Sequence, residues 1–130
     1  MKMIVGYDGG GLEDKVVKLA KQQAKANNAE VEIMHVVDPT PKNEADLARQ
    51  EAAEKEVQAI AADFEADKIS CTVTIARGLA PGDLILDAAK DGDADMIVIG
   101  VKKKSRLGKF VFGSTAQLII LDAPCPVLTV

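Results

Sequence analysis

Five short apolar runs, separated by segments of helical period, constrain this chain more than any other feature. Met3-Ile4-Val5, Val31 to Val37, Cys71 to Ala76, Met96 to Ile99 and Val127 to Val130 read as strands. The second is continuous enough to be buried on both faces, and the third alternates and is rich in β-branched residues. Between the first two, Glu13 to about Ala26 places Val16, Val17, Ala20 and Ala24 at helical spacing, and Asn27-Asn28 ends that helix. Asp38-Pro39-Thr40-Pro41 breaks the pattern. Asn43 then suits the N-cap of a long second helix with one face of Ala53, Val57, Ile60, Ala61 and Phe64. Gly78 to Gly82 reads as a turn. Pro81 fits a first helical position, Leu84, Ile85, Ala88 and Ala89 supply a third buried stripe, and Gly92 stops it. Gly113 to about Leu121 predicts a fourth helix, and Pro124 separates it from the last strand.

The alternation predicts an α/β fold: a three-layer α/β/α arrangement around a parallel sheet of five strands. At 130 residues the chain suits one domain, residues 1–130, with enough core to fold without disulfides or structural metal. In open sheets of this kind ligands bind outside the carboxyl ends of the strands, where strand order reverses. That rule singles out three turns: Tyr7-Asp8-Gly9, Val36-Val37-Asp38, and Gly100 onward.

Charge sharpens the choice. Five of the sixteen Lys and Arg residues fall between Lys102 and Lys109, and no acid occurs from Met96 through Leu121. Outside that window eleven basic residues face twenty acidic ones, so the positive field sits on one strand-to-helix loop of a chain whose net charge is −4. The loop ends in Gly113-Ser114-Thr115 at a predicted helix N-terminus. Uncapped N–H groups and the helix dipole favour an anion there, Gly113 allows close approach, and Ser114 and Thr115 can donate hydroxyls. The plainer reading is a solvated basic loop ahead of an ordinary N-cap, and chemistry alone weighs the two evenly. The Walker pattern GxxxxGK[ST] is absent. Asp8 can accept from an adenine amino group or a ribose hydroxyl, or hold Mg²⁺ through water, although Asp-Gly is also a common turn pair. Beside the Gly113 loop at the same sheet edge, it favours a site.

Other classes recede. The overall acidity and three per cent aromatic content argue against a dedicated nucleic-acid partner. Cys71, Cys125 and the one histidine make a zinc site unexpected, and two scattered thiols suit a reducing, cytoplasmic setting. Met3-Ile4-Val5 is too short for a signal peptide, and no run reaches membrane-span length, so no membrane partner is expected. His35, between Met34 and Val36, reads as a hydrogen-bonded structural residue, and Cys125 as a packed thiol. No GxSxG, no HExxH and no paired-carboxylate motif appears, and no catalytic residue is assigned. Glu51, Glu54, Glu56 and Glu65 read as a solvated acidic face.

Taken together, these residues resemble the universal stress protein (UspA-like) family, over essentially the whole chain. The resemblance rests on the strand into Tyr7-Asp8-Gly9, His35-Val36-Val37-Asp38, Arg77-Gly78 with Pro81, and Asp95 to Gly100. It extends through Gly113-Ser114 and the closing Ala123-Pro124-Cys125-Pro126-Val127-Leu128. Nucleotide-binding members carry Gly, two residues, Gly, nine residues, then Gly-Ser/Thr. Gly100 matches the first position and Gly113-Ser114 the last, while Lys103 stands where the second glycine is expected. Gly6 replaces a common proline and Gly10 a common serine.

The resemblance implies an adenine nucleotide alpha-hydrolase-like fold with strand order 3-2-1-4-5. It implies a nucleotide, ATP or AMP, with Mg²⁺ alongside ATP. Gly6, Tyr7 and Asp8 would meet the nucleotide at the first strand, Val36 would pack on adenine, and Gly100, Lys103, Gly113, Ser114 and Thr115 would hold the phosphates. It also implies a homodimer through the C-terminal strand and a stress-response role as a regulatory protein with an unknown protein partner. Two alternatives stay open. One is a homodimeric interaction protein in which Lys103 fills the phosphate space. The other is a slow nucleotide hydrolase, for which no base for water is evident.

Overall fold

The computed structural model describes residues 1–7, 13–104 and 107–130, with the side chains of Glu13, Lys103 and Lys104 excepted. The elements in chain order are β1 (Lys2–Tyr7), α1 (Glu13–Asn27), β2 (Glu30–Val37), α2 (Glu44–Ala66), β3 (Cys71–Arg77), α3 (Pro81–Asp91) and β4 (Met96–Ile99). They continue with β5 (Lys102–Lys104), β6 (Phe110–Phe112), α4 (Ser114–Asp122) and β7 (Val127–Thr129).

Five strands form one parallel sheet in the order β3-β2-β1-β4-β7, which is 3-2-1-4-5 when only the strands of that sheet are numbered. Strand alternation divides its faces. Met3, Val5 and Tyr7 of β1 join Val31, Ile33, Val98 and residues of α1 and α2 in one core. Ile4 joins Met34, Ile97, Ile99 and residues of α3 and α4 in the other. Helices therefore cover both sides, and the three-layer α/β/α arrangement follows from period-2 strands meeting period-3.6 helices. The chain runs from β1 outward to β3, then crosses back to β4 on the other side of β1. Strand order reverses between β1 and β4.

Local signals explain the boundaries. Asn43 accepts the Asp46 N–H at 2.9 Å and caps α2, and Asp46 and Glu44 lie in the first turn, where the helix dipole favours acids. Pro81 opens α3 and Gly92 closes it. Asn28 follows α1 at φ 50°, a left-handed position that Asn tolerates better than most residues. On α2, Val57, Ala61 and Phe64 are the buried face. Lys21 of α1 reaches across it, pairing with Asp63 and with Asp67 at 3.0 Å, and lies 5.6 Å from the Phe64 ring centroid. The Lys21 ammonium holds the Asp67 carboxyl below the usual carboxylate range, first through its hydrogen bond and then through its charge.

Three expectations need revision. Gly82 lies inside α3, not in the preceding turn: a Cβ there would meet Leu118 Cδ2 of α4 at 2.8 Å. Glu65 is not merely solvated, because its Oε1 accepts the Cys71 N–H at 2.8 Å and ties α2 to β3. The basic loop after β4 contains a hairpin. There β5 pairs antiparallel with β6, and Gly108 at φ 78° takes a conformation that glycine reaches without strain.

Candidate functional site

Parallel pairing brings the carboxyl ends of β1, β2 and β4 to one edge. Tyr7 lies opposite His35, and Val5 lies opposite Val98, so Gly100 follows β4 at the edge where β1 ends. The N-terminus of α4 is drawn to the same place by the Gly113 N–H, which donates to the Val101 carbonyl at 2.9 Å. Val101 in turn donates to the Val130 carbonyl at 3.1 Å, fixing this turn to the edge strand. Gly100, Gly113, Ser114 and Thr115 are thus held together beside the point of strand-order reversal, where an open α/β sheet binds its ligand.

The start of α4 has the electrostatics of an anion site. Gly113 is its N-cap and no side chain caps it among the described residues. The first intrahelical bond is Gln117 N–H to Gly113 O at 3.0 Å, so the N–H groups of Ser114, Thr115 and Ala116 precede the ladder. No acid occupies the first turn, in contrast to α2 and α3, and Ser114 is exposed. Gly113 sits at φ −70°, ψ 138°, extended backbone open to any residue. Its dihedrals therefore do not by themselves call for glycine.

The residues of β1 and β2 divide between core and edge. Gly6 faces the α3 side, where a Cβ would lie 2.9 Å from Ile99 Cγ2 and 3.5 Å from Ile85 Cδ1. Glycine at position 6 therefore lets β1 and β4 close against each other directly beneath the edge. Gly6→Val is expected to destabilise the fold by about 1–3 kcal/mol through overpacking. Urea denaturation measures it, and a variant as stable as the wild type would mean that β4 yields freely. Tyr7 turns its ring into the opposite core, where it is buried. The ring packs edge-on against His35, with centroids 5.0 Å apart and planes at 76°. Since a carbonyl only accepts, the 3.1 Å contact from His35 Nδ1 to Tyr7 O places the imidazole proton on Nδ1. His35 is thus a buried, hydrogen-bonded residue, as its place in the strand suggested.

Val36 points to the same face as Gly6 and packs half-buried against the core of Ile4, Met34 and Ile99. Asp8 lies outside the described residues. Lys103 has its backbone in β5, opposite Val111, and its side chain lies outside what is described.

The thiols take no part in this arrangement. Burial pushes the Cys71 thiol up to about 11, with the Glu65 charge adding to it, and burial also raises Cys125, helped by Asp95. Since the thiolate is the nucleophile, both should react slowly with Ellman's reagent at pH 8, the half-exposed Cys125 first and Cys71 only on unfolding. A rapid native-state reaction of both thiols would contradict that packing.

Two features of this region had no sequence signal strong enough to find them. One is the hairpin, whose three-residue strands are too short to show a period. The other is the Gly82–Leu118 contact, which joins α3 and α4 just behind the edge.

Comparison with known proteins agrees with this architecture. The family model described as Universal stress protein family matches residues 1–130. A universal stress protein of Thermus aquaticus is 27% identical over 138 residues, covering 98% of this chain and 96% of its own. The structure of a universal stress protein from Archaeoglobus fulgidus superposes with a TM-score of 0.80 at 26% identity, over 99% of this chain and 97% of that one. Another structure, of the universal stress protein from Archaeoglobus fulgidus in complex with dAMP, has a TM-score of 0.73 at 24% identity. It covers 99% of this chain and 96% of its own, and at that identity shows the shared fold.

Proposed function

This chain belongs to the universal stress protein family, and from that premise we propose that it binds an adenine nucleotide, ATP or AMP, at the carboxyl edge of its sheet. Binding serves as a regulatory signal in a cytoplasmic stress response. The observation that carries this reading is the start of α4: three N–H groups ahead of the helical ladder, no capping side chain among the described residues, and no acid in the first turn. A phosphate supplies the charge and the acceptors that such a terminus lacks. Each charge-assisted bond to it contributes about 1.5–3 kcal/mol.

In this reading Gly100, Gly113, Ser114 and Thr115 hold the phosphates, and Lys103 adds a cation. Val36 packs on adenine, and Asp8, with Gly6 and the Tyr7 backbone beside it, meets the adenosine. Mg²⁺ accompanies ATP. The dAMP complex of the Archaeoglobus fulgidus protein supports an adenine base as the ligand's other half. No base for water is assigned, so any hydrolysis is slow. The protein acts as a homodimer through β7, which lies at the sheet edge with β4 as its one sheet neighbour among the described residues. An open apolar edge of that kind favours a strand partner.

Thermal melting with and without nucleotide tests the reading. A ligand binding only the native state at one hundred times its Kd adds about 2.7 kcal/mol, so AMP or ATP should raise the melting temperature in a concentration-dependent way. An unchanged melting temperature at millimolar AMP and ATP would leave the nucleotide-free interaction protein, with Lys103 across the phosphate space.

A further inference from the structure

The hairpin between β4 and α4 combines exposed apolar side chains with concentrated positive charge, and the nucleotide reading uses only Lys103 of it. Phe110 is 65% exposed, Val111 47%, Phe112 51%, and Leu107 in the turn 86%. Strand pairing sets Lys102 opposite Phe112, Lys103 opposite Val111 and Lys104 opposite Phe110. Phe110 and Phe112 therefore share one face of the hairpin while Val111 takes the other, and both faces remain wet. Two three-residue strands are at the lower limit for a hairpin, and such a unit gains most from being covered.

We propose that the β5–β6 hairpin docks on an anionic phospholipid surface, its basic residues other than Lys103 meeting headgroups while Leu107 and Phe110 enter the interface. Charge complementarity selects this occupant. Five cations lie between positions 102 and 109 with no acid from 96 to 121, while the rest of the chain is strongly acidic. The molecule is thus polarised, and a negative surface attracts this end and repels the remainder. The two wet faces decide against other occupants. A base-stacking platform for a single strand needs one aromatic face backed by the protein, and Val111 on the reverse face is itself exposed. Two hairpins packed on one another would set five cations against five. No described helix is long and apolar enough to cross a membrane, but contact with its surface needs no such helix.

The test is co-sedimentation of the full chain with vesicles of phosphatidylcholine alone, or of phosphatidylcholine with phosphatidylglycerol. The phosphatidylglycerol vesicles should bind about tenfold more tightly, and the difference should fade in high salt. Leu107→Ser with Phe110→Ser should weaken that binding about tenfold. Its melting curve and its response to nucleotide should stay as they were, which separates this proposal from the nucleotide reading. The chain has no tryptophan, so Phe110→Trp gives a sole reporter whose emission should shift to the blue on phosphatidylglycerol vesicles. Equal binding to both vesicle types, or undiminished binding by the double variant, would overturn the proposal. So would dimerisation lost in the double variant without vesicle binding, which assigns the surface to a second copy. Tighter binding to oligothymidylate than to vesicles would overturn it in favour of nucleic acid.

Discussion

Gly113→Val should lower the affinity for AMP and ATP by about 10- to 100-fold and leave the melting temperature almost unmoved. In the proposed site the branched side chain would stand between the phosphate and the α4 amides, at the cost of one or two charge-assisted bonds. The stability expectation comes from the backbone. Gly113 occupies extended φ and ψ values that valine favours, and its N–H would keep its bond to Val101 O. Calorimetric titration and a thermal melt of the same preparation check both halves. A valine variant that binds as the wild type does would remove the phosphates from this terminus. One that fails to fold would mean that the body of the protein, not a ligand, needs the space.

The largest effect on stability is expected at Phe64, on the face of α2 that packs against the sheet. Its side chain is fully buried among α1, α2 and the odd-numbered residues of β1 and β2. Phe64→Ala should cost about 3–5 kcal/mol, through lost transfer energy and the cavity left behind. Against a typical total of about 5–15 kcal/mol, that loss approaches unfolding. The urea midpoint should fall with little change in slope. A cost below about 1 kcal/mol would show that α2 is a loosely attached cover.

The fold was legible because its signals repeat at every level. Strand alternation, the Asn43 cap, Pro81 at a helix start and Gly92 at a helix end point to the same elements, and each is found where the pattern places it. Parallel pairing follows from helices intervening between successive strands of the sheet, and the strand order came from the family resemblance, since local patterns carry no order. The hairpin was not legible. Lys102 to Lys104 have no apolar member, and Phe110-Val111-Phe112 has too few residues to distinguish a strand from a loop, so only pairing in space identifies it.

The candidate site divides along similar lines. The α4 terminus was readable from Gly113-Ser114-Thr115 and the missing acids. What the sequence left hidden is why Gly6 and Tyr7 stand beside it. Gly6 answers to the Ile99 methyl, and the Tyr7 ring answers to His35. Residues at the carboxyl edge of the sheet are also core residues, and a one-dimensional motif does not separate the two demands.

Amide-resolved NMR of the wild-type chain tests the central claim most directly. On titration with ATP, the N–H resonances of Ser114, Thr115 and Ala116 should shift together and saturate, with those of α1 and α2 nearly still. Saturating nucleotide that leaves these three amides where they were would contradict the account.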